Sequence, residues 1–184
     1  NDLTLSYQKN IADNLQSTTT LGGTIQYIRT NTFGATAQQL GAFGITINNG
    51  TINAGEFRSE QTILGVFLQQ TFGFKNRYFI TGAVRADASS VYGEDNRTQV
   101  YKKISGSYLV SNEKFWGEKL KKVISSLKLR AAYGESGNLT AIGAFDRQTN
   151  YAPVIYSGQA GYAAPALLGN FTVEPERQNE IEVG

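Results

Sequence analysis

From residue 61 onward the chain alternates strictly enough to define two faces. Thr62, Leu64, Val66, Leu68, Gln70, Phe72 and Phe74 fall on one side of an extended segment, and Gln61, Ile63, Gly65, Phe67, Gln69, Thr71 and Gly73 on the other. A period of two is the signature of a half-buried β-strand. After Lys75-Asn76-Arg77 the alternation restarts, with Tyr78, Ile80, Gly82, Val84 and Ala86 opposing Phe79, Thr81, Ala83, Arg85 and Asp87. The exceptions are Ile63, Phe67 and Phe79 on the wetter face and Gln70 on the drier.

The same scheme recurs along the chain. Upstream of this stretch, after a short opening segment from Leu3 to Gln8, Leu15, Ser17, Thr19, Leu21, Gly23, Ile25 and Tyr27 oppose a face made wholly of Gln, Thr and Gly. Downstream, Ile104, Gly106, Tyr108 and Val110 oppose Ser105, Ser107, Leu109 and Ser111, and Leu127, Leu129, Ala131 and Tyr133 oppose Lys128, Arg130, Ala132 and Gly134. Finally, Ile181 and Val183 oppose Glu180 and Glu182. The spacing predicts an all-β chain of about seven strands.

The connections alternate in length. Residues 10 to 14 and 75 to 77 read as short turns, whereas 30 to 58, 90 to 99 and 137 to 177 read as long loops rich in Gly, Asn, Thr and Tyr. Short turns at one end and long loops at the other describe a transmembrane barrel with periplasmic turns and extracellular loops. The link "EKFWGEKLKKVISS" and the Leu127 that follows it place Phe115, Leu120, Val123, Ile124 and Leu127 at helical spacing, which predicts a short amphipathic turn or helix at the barrel rim.

Composition supports the class and removes chemistry. Among 184 residues there are 20 Gly, 10 Tyr, 10 Phe and 3 Pro, with no Cys, Met or His. That balance suits barrels and sandwiches. Without His or Cys the chain can build no Ser-His-Asp or Cys-His relay, disulfide framework or Cys/His zinc site. We therefore expect no enzyme and no cofactor. A net charge of +2 gives no reason to expect nucleic acid. No apolar run approaches the ~20 residues of a membrane-spanning helix, but a transmembrane strand needs only about 9 to 11, with alternate side chains facing inward. A mean hydropathy of −0.30 is compatible with such strands.

Four stretches, "NRYFITGAVRADASSVYG" (76 to 93), "SGSYLVSNEKFW" (105 to 116), "LKLRAAYGESGN" (127 to 138) and "VEPERQNEIEVG" (173 to 184), resemble in order and spacing the barrel of the SusC/RagA-type TonB-dependent outer-membrane transporters. The resemblance implies a barrel of about 22 strands around an N-terminal plug. It also implies coupling to TonB through that plug, and a SusD-like surface lipoprotein over the extracellular mouth. On this reading residues 1 to 184 are an internal piece of the barrel domain, in contact with outer-membrane lipid of a Gram-negative bacterium, without the plug or the remaining strands. The implied function is import of glycan or peptide oligomers. "RADASS" departs from the family where Ala86 and Ala88 stand, and 139 to 172 match no family segment.

Barrel geometry assigns Arg85, Asp87, Arg130, Glu180 and Glu182 to the lumen, because a charge on the lipid face near the midplane costs about 2 to 4 kcal/mol, somewhat less for Asp and Glu. There they could form a charged network that holds the wall and contacts the plug. Tyr92, Tyr151, Tyr156 and Tyr162 lie in or beside long loops, where aromatic faces could stack on a ligand. Phe115 and Trp116 read as interfacial anchors. "YGEDN" (92 to 96) lacks the spacing of a calcium loop and reads as a solvated loop. Two rival readings share the alternation: a non-transport outer-membrane barrel, either adhesin or enzyme, and a soluble carbohydrate-binding β-sandwich.

Overall fold

The computed structural model describes residues 1–184. Strands β1 (Asp2–Ala12), β2 (Leu15–Gln38), β3 (Thr51–Phe74), β4 (Tyr78–Ser89) and β5 (Thr98–Leu109) are followed by a one-turn helix α1 (Glu118–Lys121) and strand β6 (Lys128–Asn138). A small hairpin, β7 (Ala152–Tyr156) and β8 (Gln159–Ala163), precedes β9 (Glu176–Val183). Seven strands form one antiparallel sheet in the order β1-β2-β3-β4-β5-β6-β9, and β7 pairs only with β8. Neighbours in sequence are neighbours in the sheet throughout, apart from the inserted β7–β8 hairpin. The first and last strands of the sheet do not pair with each other, so it remains open.

Register carries the two faces across the sheet, with a break at β5, where Val84 opposes Lys102. Leu5 opposes Leu21, Leu21 opposes Leu68, and Leu68 opposes Val84. Ile104 opposes Tyr133, which opposes Ile181. All seven of Leu5, Leu21, Leu68, Val84, Ile104, Tyr133 and Ile181 are exposed. The other face runs from Ser6 through Thr20, Gln69 and Ala83 to Lys103, Gly134 and Glu180.

No second layer covers the apolar face. Only 13 of 184 residues are buried, so the sheet has no conventional core. A sandwich requires two sheets packed face to face about 10 Å apart, and the two-stranded β7–β8 hairpin cannot supply the second. The soluble sandwich is therefore excluded by this architecture. Exposed apolar side chains across several strands need hydrocarbon against them. The 12 residues of β4, at ~3.3 Å each and tilted by ~40°, reach about 25–30 Å in height, close to the thickness of a barrel's apolar band.

The irregular residues of the alternation have local explanations. Phe67 crosses to Gly22 on the facing strand, where a Cβ would run into its ring. Phe79 covers Gly73 in the same manner, 3.1 Å from the position a Cβ would take. Gln70, polar on the drier face, accepts from Thr19 Oγ1 at 2.6 Å and donates to Ser17 Oγ at 2.7 Å, so its amide is satisfied by its neighbours.

The expected loop at 30 to 58 is largely strand instead. β2 and β3 have 24 residues each and stay paired from Leu15↔Phe74 to Gln38↔Thr51, leaving 39 to 50 as the connection. Beyond the last β4 partner of β3, at Ile63↔Ser89, the two strands project as a ribbon. Its polar and small residues still alternate in register, and a cross-strand pair, Arg29 Nε to Glu60 Oε1 at 2.8 Å, ties its base. The turn and rim expectations fare better. Lys75 and Asn76 adopt φ of 52° each in the β3–β4 turn, and the link carries the expected short helix, α1.

At the short-turn end, the link from β5 to β6 is pinned to the β3–β4 turn. Arg77 Nη1 and Tyr78 Oη each donate to Glu113 at 2.7 Å, and the Tyr78 and Tyr108 rings stack 4.7 Å apart. Trp116 differs from its expected role. It is buried within the link and donates its indole N–H to the Ile124 carbonyl at 3.3 Å, while Phe115 alone stays exposed. The Tyr78 hydrogen bond, aided by Arg77, holds the Glu113 carboxyl below its ordinary value near 4.5, against an opposing desolvation. A depressed carboxyl stabilises the fold above its unfolded value and loses that contribution as pH falls through the folded one. Backbone exchange in 110 to 127, corrected for intrinsic rates, should therefore rise as pH drops below about 4.5. Glu113→Gln should abolish that dependence, and an unchanged profile would refute the pinning role.

Candidate functional site: the polar face and the loop end

The five charged residues expected to share a face do so. Arg85 opposes Phe67 on β3 and Tyr101 on β5, and Asp87 opposes Gly65 and Gln99. On the same face Arg130 opposes Ser107, Glu180 opposes Gly134, and Glu182 opposes Ala132. Alternation alone requires this once the register is set.

Their expected network is only partly built. Arg85 Nε donates to both Asp87 oxygens, at 2.7 and 2.8 Å, and Asp87 is buried. Gly65 makes the pair possible, since a Cβ there would run into Asp87 Oδ1 and Arg85 Nη2. Arg130, Glu180 and Glu182 join no ion pair; the others in the structure are Arg29–Glu60, Arg58–Glu56 and Arg77–Glu113. β5 and β6 stand between Arg85 and the two glutamates, which is too far for one continuous chain of contacts.

The tyrosines separate into two kinds. Tyr92 is fully buried at 0% exposure and packs with Val91 and Leu139, flanked by Ile63, Ile142, Ala144 and Val173. Its hydroxyl donates to the Asn138 carbonyl at 3.1 Å. Neither ring face is open to a ligand, which corrects the expectation that Tyr92 binds one; it is a fastener between loops. Burial also raises its phenol above the ordinary value. Tyr151, Tyr156 and Tyr162 are exposed. Tyr162 opposes Pro153 and Tyr156 opposes Gln159, so on the β7–β8 hairpin these two rings project from opposite faces. They cannot form one stacking platform. Tyr162 shares its face with Pro153 and Ile155, beside an open cleft of about 370 Å³.

Sequence reading missed Tyr101 and Lys103. Both sit on the polar face, Tyr101 opposite Arg85 and Lys103 opposite Ala83 and Gly134. The signal was present, because "VYKKISGSY" continues the polar series Ser107 and Ser105 backwards to Lys103 and Tyr101. A groove of about 360 Å³ lies here, lined by Phe67, Arg85, Asp87, Tyr101 and Lys103 together with β6 residues 135 to 137. Among the described residues no cluster of three or more His, Cys, Asp or Glu side chains could hold a metal.

A single-layered antiparallel sheet, apolar on one face and polar on the other, with tight turns at one end and long loops at the other, defines a transmembrane barrel wall. All of residues 1–184, including 139 to 172, for which no family match was expected, match the family described as TonB dependent receptor-like, beta-barrel, and the chain belongs to that family. The family is one of Gram-negative outer-membrane proteins, and the match bears out the resemblance of the four motifs to a TonB-dependent receptor barrel. The chain is 30% identical over 145 residues to TonB-dependent receptor P26 of Formosa agariphila, covering 75% of this chain and 14% of that receptor. It is 34% identical over 99 residues to TonB-dependent receptor P39 of the same organism, covering 54% of this chain and 9% of that one. Among solved structures, the RagAB peptide importer in its closed-closed state aligns with a TM-score of 0.81 at 22% identity, over 99% of this chain and 20% of that chain. The open-open state aligns at 0.76 and 22%, over 100% of this chain and 20% of that chain. The chain thus spans about a seventh of the first curated relative and a fifth of the structures it matches.

Proposed function

We propose that this chain is a wall segment of a TonB-dependent outer-membrane transporter that imports glycan or peptide oligomers. The single observation that carries the reading is the one-layered sheet whose exposed apolar face has no protein against it. The small share of each relative that the chain spans supports a larger barrel, in which β1 and β9 pair with further strands. In that barrel the polar face lines the lumen, beside a plug through which TonB acts. The β2–β3 ribbon, the β7–β8 hairpin and the exposed Tyr151, Tyr156 and Tyr162 belong to the extracellular end, where a SusD-like lipoprotein caps the mouth. The similarity to the RagAB peptide importer supports a peptide cargo.

In this arrangement the wall performs no covalent step. It supplies a rigid aqueous enclosure, and its loops and capping partner hold cargo until the plug opens. Sidedness is the test, and the chain contains no native cysteine to interfere. With the transporter in the outer membrane, cysteines placed at Thr24 and Arg85 should react with a water-soluble maleimide, and those at Ile25 and Val84 should not. Labelling at Ile25 and Val84 with protection at Thr24 and Arg85 would overturn the reading.

A further inference from the structure

We infer that the groove between β4, β5 and β6 is a carboxylate-binding subsite on the lumenal wall. The inference rests on the proposed lumenal placement of the polar face. Three features point to a ligand, and the first is an unused donor. Tyr101 is 5% exposed, and its hydroxyl is buried without a hydrogen-bond partner. A buried hydroxyl left unpaired is costly, so such a group marks a place where a partner belongs.

The second feature is charge. On this face Arg85 and Lys103 contribute two cations to the groove, and Asp87 contributes one anion that Arg85 already holds. Lys103 is exposed and takes part in none of the ion pairs. Glu180 and Glu182 border a neighbouring cleft with Lys103, but neither forms an ion pair with it. Glu135 also borders the groove, but its side chain sits on the opposite face with Tyr133, whose hydroxyl it accepts. One further carboxylate would balance Lys103 and accept from the Tyr101 hydroxyl; the Arg85 guanidinium leans the other way, over Gly65 on β3, and stays with Asp87.

The third feature is shape. The β5–β6 ladder ends at Lys103↔Gly134, although β5 continues back to Thr98 and β6 onward to Asn138. Tyr101 leans into the resulting wedge, where its hydroxyl occupies the space that a side chain on Gly137 would need. The wall therefore opens beside the Tyr101 hydroxyl, with Lys103 at the last paired position of the ladder.

A carboxylate can come from cargo, as a peptide C-terminus, or from an acidic side chain of the plug, and the experiment separates the two. The full-length transporter is purified in detergent as wild type, Tyr101→Phe and Lys103→Met; both substitutions keep size and spare the backbone pairing. Binding of an alanine pentapeptide with a free C-terminus is compared with that of its C-terminal amide, and exchange of plug amides is followed without peptide. If cargo supplies the group, the wild type prefers the free acid, and Lys103→Met lowers that preference about tenfold and Tyr101→Phe about threefold, with amide binding unchanged. If the plug supplies it, acid and amide bind alike and both variants speed exchange in the plug. Either result supports the subsite. No acid preference together with unaltered plug exchange in both variants overturns it. Maleimide labelling of Lys103→Cys from water, read alongside, shows whether such a failure belongs to the subsite alone or to the lumenal placement beneath it.

Discussion

Leu68→Arg should destabilise the folded barrel by about 2 to 4 kcal/mol, whereas Gln69→Arg, one residue along, should change stability by little. Leu68 is half exposed on the apolar face and flanked in register by Leu21 and Val84. A guanidinium there must either sit in hydrocarbon or drag headgroups and water towards it. Gln69 opposes Thr20 and Ala83 on the polar face, where an added cation remains hydrated. Urea titration of the transporter folded into lipid vesicles measures both. The contrast between adjacent positions is what matters, because a soluble single-layered sheet would tolerate arginine equally at exposed sites on either face. Equal effects at 68 and 69 would remove the physical basis for placing this chain in a membrane.

That contrast was legible before any coordinates, because it depends only on period and register. A strand alternates whatever its length, and tight turns such as Lys75-Asn76-Arg77 leave little freedom in how the flanking strands pair. The same logic placed Arg85, Asp87, Arg130, Glu180 and Glu182 on one face. What periodicity could not supply was distance within a face. Arg85 reaches Asp87 only because residue 65, on the neighbouring strand, lacks a side chain. Glu180 and Lys103 share a row without pairing. The ribbon of β2 and β3 was hidden for another reason: Thr, Asn, Gly and Ala serve both loops and solvated strands, so composition suggested a loop where pairing continues to Gln38↔Thr51. Trp116 and Tyr92 were misplaced because burial in a loop or link arises from distant segments folding over one another. Local sequence holds no record of that.

Tyr92 supports the second large effect. Tyr92→Ala should cost about 3 to 5 kcal/mol of local stability at the loop end, the usual range for emptying a buried aromatic site. The ring is wholly enclosed by residues from β3, the β4–β5 loop and the segment after β6, so its removal unfastens three pieces of chain together. Tyr92→Phe keeps the packing and loses only the hydrogen bond to the Asn138 carbonyl, which should cost about 1 kcal/mol. Two further ties, Gln61 Nε2 to the Leu139 carbonyl at 3.2 Å and Asn96 Nδ2 to the Thr172 carbonyl at 3.1 Å, remain in either variant. The membrane-spanning part of the sheet shares none of these contacts and should stay folded. Limited proteolysis of the transporter in intact outer membranes therefore separates the roles. Tyr92→Ala should admit rapid cleavage within 139 to 173 while the amount of barrel in the membrane stays near wild type, and Tyr92→Phe should be cleaved only slightly faster than wild type. If Tyr92→Ala resists cleavage as wild type does, the loops are held by something other than this small core.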